Sequence, residues 1–363
     1  MKKVGHQVLF LPTGPSNLRN GEGTFLRRKD GSILFAYTAY YGDWDDHSTA
    51  SISAYISYDE GDSWDGPRVL VDSDPNALNV MSASLLRMNN DDIGLFYIRK
   101  VLVDGIILDE LLMRRSADEG ITWSEPTVCA PAVDYWDLCN DRVIKLSTGR
   151  ILMPVSFLTP YTYEGGYDYS PGKLVVYYSD DDGFNWKTSE IISSPFSHDR
   201  DGLDEPGVLE LPDGRVWLFI RTAYGHQYES FSSDQGETWS APRPSLYFTS
   251  PTAPMQVRHV KDRTVAVFNP VPRANCKIME AREHLWRIWG RTPFALSVSE
   301  DGGVTFDRMY LLEDDIRNDY CYPTILEGDD YLLVAYYHSN GGDIALNSQK
   351  ITKVMYSELT ADT

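Results

Sequence analysis

Nowhere in these 363 residues do apolar side chains run on for the ~18 positions that a membrane span requires. The N-terminal stretch MKKVGHQVLFLPTGPSN carries an apolar run too short for the core of a secretory leader. Basic residues are in the minority, 33 Lys and Arg against 53 Asp and Glu, and the net charge is −20. No basic stripe is left to neutralise phosphates or to dock on an anionic bilayer, so neither nucleic acid nor membrane is expected as a partner. Cysteine is scarce too. Cys129, Cys139, Cys276 and Cys321 form no CxxC pair and have no zinc-like histidine companions. Structural thiols in a reducing, cytoplasmic setting are the expectation. No Ser-His-Asp order, HExxH, phosphate loop or nicotinamide fingerprint occurs, so the chemistry is expected to need no cofactor and no metal.

What the chain does have is repetition. SYDEGDSW (57–64) returns as SADEGITW (116–123), SDDDGFNW (179–186), SSDQGETW (232–239) and SEDGGVTF (299–306). The box aspartates Asp59, Asp118, Asp181, Asp234 and Asp301 are spaced by 59, 63, 53 and 67 residues. A second repeat interleaves with the first: apolar strand, turn, apolar strand. It reads FLRRKDGSILFAYT (25–38), LLRMNNDDIGLFYIR (85–99), VIKLSTGRILMPVSF (143–157), VLELPDGRVWLFIR (208–221), VRHVKDRTVAVFN (257–269) and TILEGDDYLLVAYY (324–337). Short strands joined by such turns are hairpins.

With a further strand on either side of each box, the unit has about four strands, and no segment has the length and period of a substantial helix. Six such units suit an all-β, six-bladed β-propeller, which leaves only short protected edges. A linear solenoid would want polar capping repeats, and none stands out. A single domain over 1–363 is expected, with HQVLFLP pairing beside the boxless sixth module to close the ring. The box itself reads as a self-folding hairpin tip: Ser and Asp bond nearby amides, Gly admits positive φ, and Trp packs under the turn. SDDDGFNW lacks the glutamate and early oxygen ligands of a calcium loop.

Counting back eight residues from each hairpin turn reaches the start of the inner strand. It lands on Glu22, Ser82, Asn140, Glu205 and Tyr320. In a propeller these positions ring one mouth, with Glu22 and Glu205 on opposed modules. Acidic and polar residues there, just ahead of apolar runs, are what a ligand pocket needs.

Boxes of the form S-x-D-x-G-x-x-W on a six-module all-β chain resemble the sialidase superfamily, the BNR or Asp-box propellers. The resemblance implies a glycoside hydrolase in which Tyr is the nucleophile, Glu its base, and an Asp on a first-module loop the acid/base. Three arginines clamp the substrate carboxylate. DEPGVLELPDGRVWLFIR resembles the segment that places Glu205 and Arg221, and RTPFALSVSEDGG the one that places Arg291. CYPTILEGDDYLLVAYY resembles the nucleophile segment, giving Tyr322, with Tyr320 taken to share its strand face. YYGDWDDHSTASI resembles the acid/base loop, with Asp46 ahead of Asp45. A tyrosine near its free pKa needs such a carboxylate to remove its proton.

One departure stands out. The family's first arginine belongs where this chain reads GEGTF, so that Glu22 replaces it. Arg19, Arg142 and Lys100 are candidate replacements. Alternatively Glu22 binds hydroxyls or works with Glu205 as a two-carboxylate pair. The reading is therefore a sialidase-like exo-hydrolase of a terminal acidic sugar. The alternatives are a glycosidase or uronic-acid lyase on the same scaffold, or a propeller that binds carbohydrate without turnover.

Overall fold

Alternating β-branched and aromatic residues around short polar turns build the six hairpins as the two inner strands of six antiparallel sheets. The structure is a computed structural model that describes residues 1–43, 45–131, 134–158, 161–162, 172–195, 202–272, 290–339 and 346–360. Cys276 lies outside these residues; Cys129, Cys139 and Cys321 are buried thiols. In blade one, Arg19–Arg27, Ile33–Tyr40, Ala50–Ser57 and Asp65–Val71 follow one another outward from the centre. Blades four and five repeat that order, from Asp204–Glu210 to Arg243–Thr249 and from Gln256–Val260 to Arg308–Glu313. Blades two and three each carry a fifth short strand. In blade six the outermost strand is N-terminal: His6–Leu11 pairs antiparallel with Ser348–Met355, so the two ends of the chain share one sheet. The sheets together form a six-bladed β-propeller.

The core lies between blades rather than at one centre. Ile33–Tyr40 is buried along its whole length because a neighbouring sheet covers each of its faces, whereas Asp65–Val71 at the rim is mostly exposed. Phe25, Phe35 and Tyr37 of blade one pack on Leu333, Ala335 and Ile351 of blade six, with Trp64 of the first box against them. Each fully buried side chain of this size is worth about 1.5–3 kcal/mol. At the axis Asp141 of blade three accepts hydrogen bonds from Thr24 of blade one (3.0 Å), Thr324 of blade six (2.8 Å), and Gln256 and Arg258 of blade five (2.8 and 3.0 Å). One carboxylate thereby ties four blades.

The boxes fold alike. In the first, Ser57 Oγ donates to Asp59 and accepts from the Gly61 amide, while Asp59 takes the Ser63 amide at 2.8 Å and its hydroxyl at 2.5 Å. The fourth box residue has positive φ throughout: Glu60, Glu119, Asp182, Gln235 and Gly302. That bend aims it at the hairpin turn of the preceding blade. Asp182 accepts from the Asn89 amide (2.8 Å) and Gln235 from Thr148 (2.7 Å), while Glu119 accepts from the Lys29 amide (3.0 Å). The boxes are thus latches between blades as well as turns.

Candidate active site

Near the start of five inner strands one non-glycine residue takes positive φ: Glu22 (57°), Ser82 (59°), Asp141 (57°), Glu205 (40°) and Tyr322 (55°). Such backbone is uncommon for side chains of this size, and at four of these places the strand register shifts around it. A repeated bend thus turns one polar side chain out of the pleat in each of these five blades. Strain of this kind gathers at functional sites.

Blades four and six bring the chemistry together. Tyr322 Oη donates a short hydrogen bond to Glu205 Oε1. Arg221 Nη1 lies 2.6 Å from Glu205 Oε2 and donates to Tyr322 Oη at 3.4 Å. The Arg291 guanidinium stands 5.7 Å from the centre of the Tyr322 ring. Thr252 braces both arginines: its hydroxyl accepts from Arg221 Nε (3.1 Å) and its carbonyl from Arg291 Nη2 (2.7 Å). Burial first, and then the negative Glu205, push the Tyr322 phenol well above its ordinary pKa, against the pull of Arg221 and Arg291. A free phenolate is therefore scarce at neutral pH, and Glu205 is the carboxylate placed to accept the phenol's proton.

Blade one supplies a second group. Arg19 lies 2.5 Å from Asp46 and 3.0 Å from Glu22, and donates to Tyr337 Oη at 2.7 Å. Ser82 Oγ donates to the other Glu22 oxygen at 2.7 Å. Burial raises the pKa of Glu22 despite Arg19. Desolvation pushes Asp46 upward as well, but its contact with Arg19 outweighs this and holds the carboxyl below the ordinary range. Tyr337 joins the two groups, its ring edge-on to Tyr322 at 5.5 Å. Gly21 makes room for it, since a Cβ there would come within 1.7 Å of the Tyr337 ring.

A third feature escaped the sequence reading. One oxygen each from Asp137, Asp204 and Glu205 lies within 4.8 Å of the others. That spacing suits a cation, and Arg221 supplies one, 2.6 Å from Glu205 and 3.6 Å from Asp204. Asp204 also accepts from Ser156 Oγ (3.0 Å) and the Glu205 amide (2.9 Å). Burial, set against Arg221, pushes Asp204 up to about 6, and burial with its two acidic neighbours pushes Asp137 well above the carboxylate range. Asp204 stands beside Glu205 in the DEP triplet, a signal the sequence reading passed over. Asp137, in YWDLCND, carried no signal, since only folding sets it beside blade four.

Of the residues singled out from sequence, Arg19, Glu22, Asp46, Ser82, Glu205, Arg221, Arg291 and Tyr322 fall in these groups, and four fall elsewhere. Tyr320 does not share the face of Tyr322. The bulge at Tyr322 breaks the alternation, and Tyr320 points into the core, fully buried, with its ring against Phe294, Tyr336 and His338. The count of eight misplaces it because Gly328 opens its turn whereas Asp30 sits mid-turn, and Glu327–Leu332 closes a shorter loop than Arg27–Ile33. Asn140 likewise gives way to Asp141 as the bent residue of blade three. Arg142, 1% exposed, does not replace the missing arginine at the mouth: it donates to Gln256 at 3.0 Å and lies over Phe219 in the interior. Lys100, also buried, is spent on Asp109 at 2.9 Å and lies 4.1 Å from the Tyr135 ring centre. The cation that meets Glu22 is Arg19.

The model of the BNR repeat-like domain matches residues 28–337. An anhydrosialidase of the leech Macrobdella decora is 32% identical over 138 residues, 36% of this chain and 16% of that protein. A sialidase of Bacteroides fragilis is 23% identical over 298 residues, 80% of this chain and 50% of that protein. The chain thus spans half or less of the length of both relatives. Among solved structures, the leech intramolecular trans-sialidase with bound 2,7-anhydro-Neu5Ac superposes at a TM-score of 0.72 and 15% identity, over 99% of this chain and 71% of that one. The family match over most of the sequence and the six sheets agree: the chain belongs to the BNR repeat-like domain family, folded as a six-bladed β-propeller.

Proposed function

We propose that the protein is a cofactor-free, sialidase-like exo-glycoside hydrolase that releases a terminal acidic sugar from a glycan. The observation that carries this reading is the short Tyr322–Glu205 hydrogen bond, with Arg221 on the far carboxylate oxygen and Arg291 beside the ring. Tyr322 Oη attacks the anomeric carbon and passes its proton to Glu205. A neutral nucleophile suits a substrate whose own carboxylate is held by Arg221 and Arg291, because no second anion approaches it. The names of the relatives support a sialic-acid-like sugar. The departing oxygen needs a proton from a carboxyl, and Asp46 holds the place that the resemblance gives to that acid.

The test is a panel of aryl ketosides and glycosides, with products identified by mass. Hydrolysis incorporates water, an anhydro-sugar does not, and a lyase leaves an unsaturated sugar that absorbs in the ultraviolet. Release of a hydrated acidic sugar is expected. A panel left intact after long incubation would count against hydrolysis and favour a propeller that only binds carbohydrate.

A further inference from the structure

We propose that the proton donor of this site is Asp137, not Asp46. The inference rests on the hydrolase reading and changes its acid. Asp46 sits 2.5 Å from Arg19, and an acid so paired gives up its proton before it can serve as a donor. Asp137, Asp204 and Glu205 are differently placed. Three carboxylates, one oxygen of each within 4.8 Å of the others, face a single guanidinium among the described residues, and they cannot all be ionised near neutral pH. The proton they retain has a definite home. Arg221 favours the ionised forms of Glu205 at 2.6 Å and Asp204 at 3.6 Å, and Asp204 takes two further donors. Asp137, half-buried at the end of Tyr135–Asp137, has none of these contacts among the described residues. The charged groups that act on it are Asp204, Glu205, Glu22 and Lys100, and the only cation among these, Lys100, is already bonded to Asp109.

The steps balance. The Asp137 proton moves to the glycosidic oxygen as that oxygen's bond to the anomeric carbon breaks. Tyr322 Oη bonds to the same carbon, and its proton goes to Glu205. In the second half Asp137, now a carboxylate, takes a proton from water. The hydroxyl displaces Tyr322, which recovers its proton from Glu205. The arrangement also keeps Asp137 uncharged while Glu205 is the base, so the two roles do not compete.

Two measurements test this on the full chain. In hydrogen–deuterium difference infrared spectra at neutral pH, D137N should remove a carboxylic-acid carbonyl band that D46N keeps. A D137N spectrum that keeps the whole band would overturn the assignment. This measurement needs no turnover: if no glycoside is cleaved, the hydrolase reading falls while the location of the proton is still decided. With turnover, D137N should lower kcat/KM on an alkyl glycoside by about 10²–10⁴-fold. It should cost much less on a dinitrophenyl glycoside, whose leaving group needs no proton, and it should remove the decline in rate at high pH. If D46N shows this leaving-group dependence and D137N does not, Asp46 is the donor. D137E, which restores a carboxyl, should recover part of the alkyl-glycoside activity; a D137E rate as low as that of D137N would tell against a role for the carboxyl itself.

Discussion

Arg19 and Arg221 each stand between two carboxylates, yet the surroundings set them apart. Glu22 is buried, so its pairing with Arg19 is expensive to break; Asp46 is half-exposed and its share is smaller. Arg19→Met should therefore cost about 3–5 kcal/mol, mostly from leaving Glu22 without its cation. Denaturant unfolding measures it, and a loss below about 1 kcal/mol, the range of a surface pair, would show that Glu22 simply takes up a proton instead. At Glu205 the expectation concerns rate. Glu205→Gln keeps the shape but cannot accept the Tyr322 proton, so kcat/KM should fall by about 10²–10⁴-fold. A variant with near-native turnover would remove Glu205 from the mechanism.

For the strand and its turn, the Asp-box shows how a short motif gains stability from pH-dependent bonds. Hydrogen bonds from Thr122 and Ser116 hold Asp118 down to about 2, and Thr305 and Ser299 do the same for Asp301. The unfolded carboxyl titrates near about 3.9. A depressed folded pKa gives stability that is present above the unfolded value and lost as pH falls through the folded one. Asp301→Asn should thus lower the melting temperature at pH 6, and the difference from the native chain should shrink as pH falls from about 4 towards 2. A difference that stays constant over that range would mean the bonds do not depend on the charge. The same box anchors its neighbour, so the loss should also loosen the contact of Gly302 with Pro212 of the preceding blade.

Across the whole molecule, closure depends on two devices far apart in space. At the rim, His6–Leu11 covers the edge of Ser348–Met355. Removing residues 1–11 should bare that edge and promote strand-to-strand association, seen as concentration-dependent oligomers in light scattering; a monodisperse truncated chain with a native melting temperature would show that blade six closes without it. At the axis, Asp141 joins four blades through Thr24, Thr324, Gln256 and Arg258. Asp141→Ala strands several buried donors, each worth about 1–3 kcal/mol when left unsatisfied. It should lower stability by several kcal/mol and lose activity through the whole mouth rather than at one residue. Denaturant melts with the activity ratio measure both.

Box spacing, hairpin period and turn chemistry are local properties, and they determine the modules, their number and the strand order without reference to distant residues. The motif segments likewise mark Glu205, Arg221, Arg291 and Tyr322, because each is tied to a strand whose register the neighbouring turn nearly fixes. Local pattern fails where direction matters. Whether Tyr320 or Tyr322 faces the mouth is decided by a bulge that reverses the alternation of the pleat, and no residue type announces it. Which cation meets Glu22, and which acid stands beside Glu205, are settled across blades, by Arg19 over Glu22 and by Asp137 of blade three beside blade four. Those choices turn on charge–charge distances of a few ångströms between residues far apart in the chain, and only ring closure sets them.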